Sequence, residues 1–157
     1  VTDKLLDALD ATRRKNIDEI PYSGAVGFPE TAPEQAALIG KTAAEHQLGE
    51  EYVGLLFSRY GMEAVAILQE NAGGLATPLK SLPDYSVGEI AWIVDNECVG
   101  HLMDLVRRRS VIALLGHATE DVLTELAVIA GECLGWDADR RKREVAEVLA
   151  EVRRADS

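Results

Sequence analysis

DNECVGHLMDLVRRRS, residues 95–110, places Glu97, Asp104, Arg108 and Arg109 on a stretch whose apolar residues keep helical spacing. Working back from it, Val87, Ile90, Ala91, Val94, Cys98, Leu102, Leu105 and Val106 recur at steps of three and four, the pattern of one helical face laid on a core. Trp92, Ile93, Val99 and Met103 fill a second face, so the spacing predicts one long central helix from Val87 through the arginines. Ser86 followed by Glu89 reads as its capping box, with Pro83 just outside. Charges near the end of a central helix need partners. Asp104 and Arg108 stand one helical turn apart, and Arg108 and Arg109 are expected to pair with Asp104, Glu97 or Glu89 and so fix helix packing.

Elsewhere the sequence reads as helices almost throughout, and the expected fold is an all-α compact bundle. Residues 2–15 form an amphipathic helix with Leu5, Leu6 and Leu9 on its apolar side. It runs into a Gly/Pro-rich passage, Pro21 to Pro29, long enough to be a linker or an arm lying on another surface. Thr31 and Glu34 form a capping box that opens a helix to about Leu48, interrupted by Gly49. Glu50 to Tyr60 follows, closed by Gly61, and then Met62 to Asn71. Residues 72–85 are the principal internal loop. Thr119 or His117 starts a helix that Gly135 stops after Leu134, and Asp137 caps the last helix, from Ala138 to about Arg154. The chain divides into residues 1–30, a helix and linker arm, and residues 31–157, the helical domain.

Composition excludes several classes. With 157 residues and a formal net charge of -11, the chain can bury a core but lacks the basic footprint of a nonspecific nucleic-acid binder. It contains no apolar run of about 18 residues that would span a bilayer, and it opens on no basic-then-apolar targeting segment. Cys98 and Cys133 lack metal-ligand spacing and read as buried free thiols of a reducing cytoplasm.

A search for chemistry finds little. There is no GxGxxG after a strand, no phosphate-cradling Gly-Lys-Ser/Thr loop and no GxSxG elbow. His46, His101 and His117 do not converge at zinc spacing, and His46 and His117 fall at helix ends. His101, one turn after Glu97, invites comparison with a carboxylate-oriented base or phosphate acceptor, although a hydrogen-bonded structural histidine is the simpler reading. Arg107, Arg108 and Arg109 have the guanidinium geometry that suits phosphate, but pairing with the nearby acids is the preferred expectation. Arg140 to Arg143 faces Glu144 and Glu147 and reads as a solvated helix face. Trp92 is expected in the core, and Trp136 in the seam between the last two helices. No residue of this chain is assigned a catalytic, cofactor-binding or metal-binding role.

The spacing E-x-x-W-x-V-x-x-E from Glu89 to Glu97, followed by Asp104 and the run Arg108, Arg109, Ser110, resembles the C-terminal helical domain of the FAD-dependent glycerol-3-phosphate dehydrogenases and glycerophosphate oxidases. Arg59-Tyr60-Gly61, Leu134-Gly135-Trp136-Asp137 and the IPYSGA segment at residues 20–25 match the same family. Trp92 and Ser110 stand where that family commonly has Tyr and Thr; Ser keeps the hydroxyl, and Trp keeps an aromatic body with one donor. The resemblance implies that FAD binding and oxidation of glycerol 3-phosphate to dihydroxyacetone phosphate belong to a larger N-terminal part, with electrons passing to quinone or oxygen. It implies that this chain is a fragment without a cofactor of its own, its partner the catalytic part of the same polypeptide. It further implies a cytoplasmic parent, peripheral on the inner face of the membrane. Homo-oligomer formation is a further expectation, whereas nucleic acid and a membrane-spanning segment are not expected. A stand-alone signalling bundle, phosphorylated on His101 in the manner of a histidine phosphotransfer domain, is the rival class; an oligomerisation module ranks below it for want of a sustained heptad run.

Overall fold

The computed structural model describes residues 2–11, 22, 24–70 and 77–155. Among them lie the helices α1 (Thr2–Ala8), α2 (Ala32–His46), α3 (Glu50–Tyr60), α4 (Glu63–Glu70), α5 (Val87–Asn96), α6 (Leu102–Arg107), α7 (Glu120–Leu134) and α8 (Ala138–Ala155). No strand occurs among the described residues; Pro78 and Ser86 form an isolated antiparallel bridge. The fold is an all-α bundle.

Its centre is α5. Ile90 and Ile93 are fully buried there, and Trp92 and Val94 nearly so, which follows from a helix apolar on two faces. One of those faces meets α4 and another meets α7, while α7 packs in turn on α8. Leu123, Leu126 and Ala130 of α7 and Val148 of α8 complete this side of the core. On the other side α2 packs on α3 and α3 on α4, with Leu56, Phe57, Ile67 and Leu68 buried.

The long central helix expected from the spacing is two helices. α5 ends at Asn96, Cys98 takes a left-handed backbone conformation at φ 54°, and α6 starts afresh at Leu102. The break is stabilised by groups that the periodicity could not weigh. Asp104 Oδ2 accepts from the Gly100 and His101 amides at 3.2 and 3.0 Å, and Glu144 of α8 accepts from the Leu102 amide at 2.8 Å. Three donors that a continuous helix would have spent internally are satisfied by carboxylates instead. Apolar steps of four bridged the gap in sequence, so both helices keep their apolar sides inward.

Other boundaries follow from local chemistry. The Glu34 carboxylate accepts from the Thr31 hydroxyl at 2.7 Å at the start of α2. Gln47 ends that helix in the left-handed conformation, and Gly49 precedes α3 as its N-cap rather than stopping α2. Thr119 caps α7, Gly135 ends it at φ 68°, and Asp137 accepts from the Arg140 amide at 2.7 Å to open α8. α1 is shorter than residues 2–15, with residues 12–15 outside the described set, and Leu5 within it and Leu9 just after it are exposed. Both cysteines are exposed rather than buried: Cys98 lies in the turn after α5, and Cys133 in the last turn of α7.

Candidate functional site

The densest polar constellation centres on Glu89, whose carboxylate is fully buried. As the third residue of α5, Glu89 was expected to reach back and close a capping box. Ser86 does accept from the Glu89 amide at 3.1 Å, but the Glu89 side chain turns toward α3. There Oε1 accepts from Arg59 at 3.0 Å and from the Tyr60 hydroxyl at 2.8 Å, and Oε2 from the Tyr52 hydroxyl at 3.4 Å. Tyr52 also donates to the Ser86 hydroxyl at 2.8 Å. Arg59 extends the cluster by donating to the Asp84 carbonyl at 2.8 Å and stacking 3.8 Å above the Tyr85 ring. Burial raises the Glu89 carboxyl above its ordinary value, although Arg59 and the hydroxyl donors pull the other way. Burial beside the Glu89 charge pushes the Tyr52 and Tyr60 hydroxyls far up, so both stay protonated donors.

This arrangement fastens structure. Every group in it faces a partner, and a carboxylate with no access to substrate cannot exchange protons with one. It joins α3, α5 and the turn at residues 84–85, and it positions the Tyr60–Gly61 corner. A Cβ on Gly61, at φ 55°, would strike the Gly24 carbonyl, and that carbonyl accepts from the Met62 amide at 2.8 Å. The Gly/Pro arm is thereby pinned to the end of α3, and the Phe28 ring packs tilted against Phe57 with ring centroids 6.1 Å apart. Neighbouring Trp92 meets Tyr60 edge-on and donates its indole N–H to Glu70 at 3.1 Å.

The expected network of Glu97, Asp104, Arg108 and Arg109 is two separate pairs. Arg108 meets Asp104 at 2.9 Å, and Arg109 meets Glu97 at 3.5 Å; the Arg108 side chain is 73% and that of Arg109 40% exposed, and Glu89 takes part with neither. Solvent-exposed pairs contribute about 0–1 kcal/mol, so their weight is far below that of a buried pair. Asp104 matters chiefly as a cap. Its slight burial pushes the carboxyl upward, but the Gly100 and His101 amides and Arg108 hold it below its ordinary range. His101 is oriented by Glu144 of α8, at 3.0 Å from Nδ1, rather than by Glu97, and its side chain is 63% exposed. Arg107 pairs with Glu151 at 3.5 Å.

A second carboxylate anchor escaped the sequence reading. Glu125 of α7 accepts from the Lys80 and Ser81 amides, each at 2.9 Å, and from the Ser81 hydroxyl, tying the end of the internal loop to the bundle. Burial raises its carboxyl and these donors lower it further, leaving it below the usual carboxylate range. No sequence signal pairs Glu125 with residues more than forty positions away. The basic run of α8 is not simply solvated: Arg140 sits 4.9 Å above the Trp136 ring and bonds the Gly100 carbonyl at 3.1 Å, while Arg141 covers Gly131 where α7 and α8 cross. Trp136 itself is buried at that seam.

No group of three or more His, Cys, Asp or Glu side chains among the described residues could hold a metal ion. A groove of about 780 Å³ between Lys80–Ser81 and α7 is lined by Glu120, Asp121, Glu125 and Glu132, without a nucleophile beside a base. No strand, and so no strand–turn–helix cradle for a dinucleotide, occurs among the described residues. Among the described residues no helix is long and apolar enough to cross a membrane.

Fold and site together define a helical domain whose polar clusters hold its own elements in place. Residues 17–141 match the family model described as the C-terminal domain of alpha-glycerophosphate oxidase, and the chain belongs to that family. It is 32% identical over 100 residues to proteins named glycerol-3-phosphate dehydrogenase 2 from Mycobacterium bovis and Mycobacterium tuberculosis. The match covers 62% of this chain and 17% of each relative, so the chain spans about a sixth of the length of the curated relatives it matches. No solved structure matches.

Proposed function

We propose that this chain is the C-terminal helical domain of an FAD-dependent glycerol-3-phosphate dehydrogenase that passes electrons to quinone, and that the domain serves packing and stability without catalysing a step itself. The family match over residues 17–141 carries the reading, and the internal use of the buried carboxylates supports it. In this reading sn-glycerol 3-phosphate is oxidised to dihydroxyacetone phosphate in the preceding catalytic part, the domain's principal partner, and the parent lies in the cytoplasm against the membrane.

The test compares the full polypeptide with a version lacking residues 31–157. Loss of thermal stability, with glycerol-3-phosphate oxidation by the intact enzyme reduced in step, is the expected outcome. Unchanged stability and turnover after deletion would sink the proposal. Assaying the intact enzyme with a quinone analogue and with oxygen separates the two acceptors.

One observation favours a second reading. His101 is exposed and its Nδ1 is oriented by Glu144, as a phosphoryl-accepting imidazole requires. Acetyl phosphate that labels the chain, with labelling abolished by His101→Gln, would favour that reading over the first.

A further inference from the structure

The turn between α6 and α7 combines two properties that rarely coexist without a partner. It is apolar and exposed: Leu114 is 83% and Leu115 60% accessible, with Val111 also open to solvent. It is also held rigid. The Ala113 amide donates to Val106, Leu115 to Val111, and His117 to Ile112, at 2.9–3.0 Å, while the Ser110 hydroxyl donates to the Leu105 carbonyl at 2.8 Å. Ile112, fully buried, roots the turn in the core. Ordering backbone costs conformational entropy, and a water-facing leucine pair returns none of it.

This turn is joined to the arm by continuous contacts. The Val111 backbone lies beside the Tyr85 hydroxyl, Arg59 stacks on the Tyr85 ring, and the next residue pair, Tyr60–Gly61, seats the Gly24 carbonyl. On that arm Tyr22 is 87% accessible and Val26 is open as well. The buried Glu89 cluster thus fixes two apolar, solvent-facing pieces relative to each other.

We propose that Val111, Leu114 and Leu115, together with Tyr22 and Val26, form the surface by which this domain seats on the preceding part of its parent polypeptide. The inference rests on the accessory-domain reading above and names its docking face. The occupant follows from length: the match accounts for 17% of each relative, so a polypeptide of that plan has a far larger body to which a small helical domain is tethered. The arm is the tether, and Tyr22 and Val26 on it are exposed as the leucines of the turn are. The partner surface is an apolar socket that accepts two adjacent leucines.

Single cysteines report the contact. In a background carrying Cys98→Ser and Cys133→Ser, Leu114→Cys and, as a control on α7, Val128→Cys are labelled with a maleimide in the 157-residue chain and in the full polypeptide. Val128 is exposed and away from the turn, and neither site is needed for the core. The expected result is a fall of about tenfold or more in the Leu114→Cys labelling rate in the full polypeptide alone, as for a residue reached only by local opening, with Val128→Cys unchanged. Equal labelling of Leu114→Cys in both proteins overturns the docking face. If deletion of the domain still destabilises the enzyme, the accessory reading survives that failure. Protection that appears in the isolated chain as its concentration rises assigns the face to a second copy and overturns the proposal. A reading frame that encodes no preceding polypeptide removes the accessory reading itself.

Discussion

Arg59 holds Glu89 at 3.0 Å from one face of α3 while its guanidinium plane lies 3.8 Å above Tyr85, so one side chain closes an ion pair and a stack together. Glu89 is fully buried and the Arg59 side chain is 18% exposed, so removing either partner strands the other in a largely water-free setting. Glu89→Ala leaves Arg59 and the Tyr60 hydroxyl without their acceptor and is expected to cost about 3–5 kcal/mol. Urea unfolding of Glu89→Ala, Arg59→Met and the double variant checks this. The double variant should lose less than the sum of the singles, and a cost below about 1 kcal/mol for Glu89→Ala would show that the cluster is not a fastener.

The carboxylates respond to acid with opposite signs. Glu89 is raised by burial, so its contribution is fully present below the ordinary carboxyl value of 4.5 and is lost as pH rises through its folded value. Glu125 is lowered by its three donors, so its contribution is present above 4.5 and is lost as pH falls through the folded value beneath it. Between neutral pH and pH about 3, the advantage of the wild type over Glu125→Gln should therefore shrink, while its advantage over Glu89→Gln should grow. Chemical unfolding of the three proteins across that range is the measurement.

Cys98 occupies the left-handed region at φ 54°, where a side chain costs roughly 1–2 kcal/mol relative to glycine. Cys98→Gly is expected to stabilise the protein by up to about 1 kcal/mol after its own entropic cost, and Cys98→Val to destabilise it. Thermal midpoints of the two variants decide the matter. A drop for Cys98→Gly would place the value of this residue in its thiol.

Gly61 allows the arm to approach. An alanine there meets the Gly24 carbonyl at a backbone conformation unfavourable to a side chain, and Gly61→Ala is expected to cost about 1–3 kcal/mol. Hydrogen exchange locates the damage: the Met62 amide, which donates to Gly24, should lose protection before the amides of α7 do.

Much of the fold could be read from local signals. The starts of α2, α7 and α8 at Thr31, Thr119 and Asp137, and the stops at Gly61 and Gly135, are written in side chains next to the boundary they set. The break at residues 97–101 was hidden because Asp104 and Glu144 supply it, and Glu144 acts from 42 residues away. Periodicity weighs apolar spacing and is blind to a carboxylate arriving from another helix. Glu89 shows the same limit: its position suits a capping box, and only the proximity of α3 reveals that Arg59 and Tyr60 compete for it and win. Arg59 and Tyr60 were visible only as part of a family resemblance, since nothing in the local sequence marks them as the partners of a residue some thirty positions on.

The cap that Glu144 supplies to α6 also imposes an order of events on a growing chain. Domains emerge N-terminus first during synthesis, so α6 leaves the ribosome with its Leu102 amide open and waits for α8 to be made. A nascent chain halted before residue 144 carries every residue of α6 without the group that closes its first turn. Closure of this part of the bundle is thus a late step in biogenesis, gated by the arrival of α8.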